Sequence, residues 1–192
     1  MTTLGLLLTR GHDIKPEWLG AYSAALPPLY RKFGGRYLAI GGPGRGATAL
    51  GASPEASGMV AVFEGIQAVR DFWWSEAYRQ VVPLRAGAGQ FDVFGLETVV
   101  TTPPTAGSDI YVAYAAQPET LVLDALRAAG AMLVADTKSF DRLEGAPPWQ
   151  RIAVLAAPAD AHRAVDAAAA TATTEWTHIY RIDSPVDRRP TS

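Results

Sequence analysis

Trp176, His178 and Tyr180 alternate near the end of the chain. On a strand, residues two apart project from one face, so these three can reach one ligand. Histidine is the usual general base near neutral pH, and a neighbouring tyrosine can donate to a developing oxyanion. His178 as base and Tyr180 as donor is therefore one catalytic reading; a barrel-wall histidine with a buried partner is the plainer one. His12 offers a second base, with Asp13 beside it to orient the ring or simply to pair with it in solvent. Tyr37 is a second donor. Arg36 and Arg85 can hold a carboxylate or phenolate through paired guanidinium hydrogen bonds, or serve as salt-bridge residues. Phe72, Trp73, Trp74 and Tyr78 supply aromatic walls for a flat organic ligand. Phe72 and Trp73 also fit ordinary packing of a helix on a sheet, whereas Trp74 falls on another side and is the better pocket residue.

No metal or cofactor is expected. The sequence holds three scattered histidines and no cysteine, so no converging ligand set is visible. Haem remains an alternative without a local ligand signal. Gly41 to Gly46 is glycine-rich but lacks the Gly-Lys-Ser/Thr ending of a phosphate loop; it reads as a mobile connection able to cover a cleft. His162 lies on an alanine-rich helix and reads as surface.

The 192 residues allow one large domain or two small ones, and 48% apolar content can fill a core. A net charge of −2 without a basic block argues against nucleic acid as the main partner. The run from Leu4 to Leu8 is too short for a signal core, and no stretch has the length of a membrane span. A soluble, cytoplasmic, monomeric protein with a small-molecule partner is expected.

Positioning these residues requires a definite order of elements. Leu4 to Thr9 reads as a strand, and Arg10 to Asp13 as the loop after it. A helix presents Trp18, Leu19, Tyr22 and Leu26 on one face, and Pro27-Pro28 should break or kink it. Gly34-Gly35 caps the next turn. Arg36 to Ile40 is a strand, Gly41 to Gly44 a loop, Met59 to Phe63 a buried strand, Ile66 to Trp74 a helix continued or restarted at Ser75, and Phe91 to Glu97 a strand. The order βαββαβ is the ferredoxin-like motif. Residues 99–108 read as a linker. The order then recurs: strands at 110–115, 131–135, 152–156 and 176–182, and helices at 118–129 and 159–170. Residues 184–192 read as a frayed tail.

Gly-Gly-Arg-Tyr-Leu-Ala at 34–39, Gly41-Gly42, Leu50-Gly51, the strand ending at Phe63, Ala68, Phe72-Trp73, Ser75-Glu76, Tyr78 and Arg85 resemble the family called domain of unknown function 1330. The resemblance covers residues 3–98, and Asp13 and Tyr22 suit it. Ile40 departs from it, since a basic residue commonly sits there; an anion held by that residue in relatives would not be held here. The resemblance implies ferredoxin-like units that pair into an α+β barrel. Aligning Gly35 with Gly130 and Gly51 with Gly145 gives an internal repeat. The expected fold is α+β: two tandem ferredoxin-like βαββαβ units, residues 1–98 and 109–183, forming a single-chain pseudo-dimeric α+β barrel. The second unit has Ala131 and Met132 opposite Arg36 and Tyr37, which puts the better cleft in the first. By analogy with other α+β barrels, the expected function is cofactor-independent acid–base chemistry of isomerase, cyclase, lyase or monooxygenase type on a hydrophobic or aromatic, polyketide-like substrate. The alternatives are a non-catalytic ligand carrier and an interaction module without a pocket.

Overall fold

A computed structural model describes residues 1–43, 45–101, 104, 107–121 and 123–183. Gly44, part of the expected linker and the expected tail at 184–192 lie outside the described residues. Its strands are β1 (Thr2–His12), β2 (Arg36–Pro43), β3 (Gly46–Leu50), β4 (Ser57–Phe63), β5 (Gln90–Val100), β6 (Asp109–Ala115), β7 (Met132–Thr137), β8 (Asp141–Glu144), β9 (Arg151–Ala157) and β10 (Thr177–Ile182). The helices are α1 (Gly20–Lys32), α2 (Ile66–Trp74), α3 (Glu76–Val81), α4 (Asp124–Ala128) and α5 (His162–Ala172), with short 3₁₀ turns at Pro16–Trp18, Val82–Arg85 and Pro118–Thr120.

The strands form one curled ten-stranded sheet in the order β7-β9-β6-β10-β3-β2-β4-β1-β5-β8. Within it, β2-β4-β1-β5 and β7-β9-β6-β10 are each antiparallel and share the ferredoxin-like order. The strand between the second and third of each set reaches the other half: β3 pairs with β10 as well as with β2, and β8 pairs with β5. The sheet curls so that β5, next to the β8 edge, approaches the β7 edge, where the Thr98 hydroxyl donates to the Val134 carbonyl at 2.7 Å.

Strand alternation sorts the apolar residues into three layers. Leu6 and Leu8 point into a shared interior with Val60, Phe94, Val112, Val154 and Ile182. Leu7, one residue out of phase, packs with Tyr30, Phe63, Val69 and Phe72 beneath α1 and α2. Tyr111 and Ala113 pack beneath α4 and α5 with Leu126 and Val165. Burial on both faces explains why β1 reads as a continuous apolar run. Gly5 is required in that run, because a Cβ there would lie 2.2 Å from the Gly65 carbonyl oxygen.

Several expectations change. β1 runs on to His12, so Arg10 and His12 are strand residues with fixed faces rather than loop residues. β2 reaches Pro43, and β3 and β8 are strands that the sequence did not reveal, being short and dependent on partners from the other half. α1 passes through Pro27 and Pro28. Ser23 and Ala24, whose carbonyls thereby lose amide partners, are exposed, so water can serve them. The helix after α2 restarts at Ser75, whose hydroxyl accepts from the Tyr78 amide at 3.0 Å. In the second half, α4 is shorter than the helix expected at 118–129.

The left-handed glycines differ by one residue from the aligned pair Gly35 and Gly130. Gly34 (φ 71°) and Gly130 (φ 106°) are the left-handed residues, and the following amides, Gly35 and Ala131, bond back to Tyr30 and Leu126 at 2.7 and 3.0 Å. The β2–β4 register is interrupted between Tyr37 and Ala39, and the β7–β9 register between Leu133 and Ala135. Met132 and Leu133 therefore stand where Arg36 and Tyr37 stand.

Candidate functional site

Tyr22, Leu26 and Tyr30 recur every four residues along one face of α1. That face roofs a cavity of about 800 Å³ whose floor is the outer face of β1, β2, β4 and β5. Leu7 and Thr9 of β1, Tyr37 and Ile40 of β2, Met59 of β4, and Phe91 and Val93 of β5 contribute to the floor. Ile14, Pro16, Glu17 and Leu19, in the segment leading into α1, close one side. The Lys15 amide ties that segment to the Ala88 carbonyl at 2.8 Å.

The polar groups of the cavity centre on Tyr22, Tyr78 and Arg85. The Tyr22 and Tyr78 hydroxyls are 3.0 Å apart. Arg85 stacks over Phe91 and Tyr22, its guanidinium carbon 4.3 and 5.4 Å from the ring centres. Its Nη2 donates to the Glu144 carboxylate. Burial pulls the Arg85 pKa down, but the Glu144 hydrogen bond and neighbouring groups outweigh it, and the net shift is upward. Burial raises Tyr22, with Arg85 partly opposing, and raises Tyr37 and Tyr78 further. These hydroxyls are proton donors near neutral pH, not bases.

The opposite face of β1 and β5 carries a second constellation. Arg10, 5% exposed, lies between the halves of the molecule. Its Nη2 and Nε donate to the Tyr180 hydroxyl at 2.9 and 3.2 Å, and its Nη1 is 3.6 Å from Asp92 Oδ2. The same carboxylate oxygen meets His12 Nε2 at 2.9 Å. His178 Nδ1 is 3.5 Å from Arg10 Nη2. The rings of Trp149 and Tyr180 each lie 5.3 Å from the guanidinium carbon. Burial first, then the charges of Arg10 and His12, lower the His178 pKa to about 4, so its imidazole is neutral near pH 7.

The nine expected site residues thus separate into three groups. Tyr37, Tyr78 and Arg85 line the cavity. His12, His178 and Tyr180 meet in the constellation behind it, on the other face of the same sheet. Arg36 is exposed; Trp74 and Trp176 are 59% and 44% exposed, and Trp176 precedes β10 instead of sharing its face. Asp92, rather than Asp13, orients His12. Arg10, Asp92 and Trp149 emerge only from the structure, and Tyr22, placed on a helix face by the sequence, joins the cavity wall there. Strand parity with Leu6 and Leu8 marks Arg10 once β1 is known to continue, and the Tyr22-Leu26-Tyr30 spacing marks the helix face. Trp149 and Glu144 arrive from the second half and leave no local signal. Among the described residues no group of three or more His, Cys, Asp or Glu side chains is placed to hold a metal ion, and no helix is long and apolar enough to cross a membrane.

Residues 6–99 match the model of the family described as Domain of unknown function (DUF1330), which supports that family for the first half of the chain. No curated protein matches. A protein of unknown function from Rhodopseudomonas palustris is similar at 15% identity and TM-score 0.40, over 52% of this chain and 84% of that one. A dye-decolorizing protein from V. cholerae is similar at 11% identity and TM-score 0.49, over 95% and 93%. An anthrone oxidase-like protein is similar at 10% identity and TM-score 0.45, over 93% and 91%. Likenesses this distant carry no functional argument.

Proposed function

We propose that the protein binds a small, flat, largely apolar organic molecule bearing an oxygen function in the cavity under α1. The observation that carries this reading is an apolar cavity of about 800 Å³ with the Tyr22–Tyr78 pair and Arg85 in its wall. The volume lies within the usual range for small-molecule sites and leaves ample room for a ligand of two or three fused rings. A second reading, cofactor-independent acid–base catalysis of isomerase, cyclase, lyase or monooxygenase type, draws on the same donors, which could stabilise an enolate or phenolate as it forms. His12 and His178 lie behind the sheet, so in that reading the base comes from the substrate or from Glu17.

We also infer that the chain is an internal duplication folded as a pseudo-dimer within one polypeptide. The repeated strand order, the matched register shifts after Tyr37 and Leu133, and the reciprocal β3–β10 and β8–β5 pairings support this. A monomer is the expected solution state, and a cytoplasmic small-molecule role is the setting proposed for it.

Native mass spectrometry against a panel of hydroxylated and keto aromatic compounds tests the binding reading. Gly42 lines the cavity, and a Cβ there meets nothing within 4 Å, so Gly42→Phe fills the space without a backbone clash. Retained ligands that Gly42→Phe releases are expected. Binding that Gly42→Phe leaves unchanged would move the site elsewhere, and chemical change of a retained ligand would favour catalysis.

A further inference from the structure

Glu144 belongs to β8, in the second half of the chain, yet its carboxylate meets Arg85 in the wall of the first half's cavity. We infer that Glu144 turns Arg85 from an anion receptor into a donor for neutral oxygen, so that the cavity takes an aryl ketone or quinone carbonyl and rejects a carboxylate. The inference rests on the cavity being the ligand site.

Three observations carry it. Arg85 is 6% exposed, and one of its terminal nitrogens is already bonded to Glu144, so its positive charge is compensated before any ligand arrives. An incoming carboxylate would be held close to Glu144 and repelled by it. Secondly, Arg85 Nε is buried and has no hydrogen-bond partner among the described residues. A buried donor left unpaired is costly, and a small turn of the guanidinium toward the cavity would let a ligand oxygen satisfy it without needing a charge. Thirdly, the Tyr22 and Tyr78 hydroxyls share one hydrogen bond, which uses one of their two protons. The other is free to be donated, and burial keeps both hydroxyls protonated. The wall therefore offers N–H and O–H donors around a compensated charge. A carbonyl oxygen, with two lone pairs and no net charge, matches that set.

Two probes of one skeleton isolate the effect: methyl naphthyl ketone and naphthoate, measured by calorimetry with wild type, Glu144→Gln and Arg85→Met. Wild type is expected to bind the ketone at least about tenfold more tightly than naphthoate. Glu144→Gln keeps the size of the side chain and removes its charge, so naphthoate binding should strengthen about tenfold while ketone binding changes by less than about threefold. Arg85→Met should weaken the ketone by about tenfold or more. Circular dichroism checks that each variant folds, and the wild-type preference stands as a test without either. Equal or tighter naphthoate binding by wild type, lost in Gly42→Phe, would overturn this inference and leave the cavity as the ligand site. An unchanged preference in a folded Glu144→Gln would overturn it too. Failure of both probes to bind wild type at about 1 mM would overturn the inference together with the cavity reading.

Discussion

The neutral His178 makes a quantitative prediction about acid stability. Its ring lies edge-on to Trp149 at 4.9 Å and beside the Arg10 guanidinium. Burial, then Arg10, then His12 bring its pKa from 6.5 down to about 4. As the pH falls below 6.5, the unfolded chain takes up a proton at His178 that the folded chain refuses until about 4. The unfolded state thus binds more protons across that window, so stability rises with pH there and is lost as the pH falls through it. At 1.36 kcal/mol per pH unit the full shift corresponds to about 3 kcal/mol. His178 is only partly buried, and solvent screening reduces this to ~1–2 kcal/mol. Urea unfolding of wild type and His178→Gln at pH values from about 7 to about 4.5 isolates the effect, because all other titrating groups are common to both. With an m-value of about 2 kcal/mol/M, the wild-type midpoint should fall ~0.5–1 M further than that of the variant. Midpoints that fall in parallel would refute the account of His178 as a histidine held neutral by its surroundings.

Other predictions concern the joint between the halves and the close approach at β1. Asp92→Asn removes the carboxylate shared by Arg10 and His12 and leaves a buried guanidinium uncompensated; a loss of ~2–4 kcal/mol is expected from urea midpoints. Tyr180→Phe, which removes one acceptor from the same guanidinium, should cost only ~1 kcal/mol in that assay. Gly5→Ala forces a Cβ to within 2.2 Å of backbone and should lower the melting temperature sharply. Gly20→Ala, on α1 with nothing within 4 Å, should raise stability by ~0.5–1 kcal/mol.

Periodicity and glycine placement made much of the architecture legible in the sequence. Two-residue alternation and buried apolar runs locate β1, β2, β4 and β5, the helix at Ile66 falls where its apolar spacing puts it, and left-handed glycines follow α1 and α4, at Gly34 rather than Gly35 and at Gly130. These features are local, so the chain carries them on its surface. Tyr37, Tyr78 and Arg85, which line the cavity, stand out in the sequence by residue type, each near other aromatic or basic side chains.

The grouping of those residues was not legible. Which face a doubly buried strand turns inward depends on its partners. A few residues of error at the end of β1 turn Arg10 and His12 from loop residues into interior ones. That decision separates the histidines from the cavity by the thickness of a sheet. β3 and β8 exist because the last strand of the opposite half gives each an edge, and β8 carries Glu144 to Arg85 across 59 residues of chain. The sequence by itself determined most of the elements, though not β3 and β8, and the kinds of group available. Tertiary structure alone decided which groups share a space, because pairing between the halves sets those distances and no local pattern encodes it.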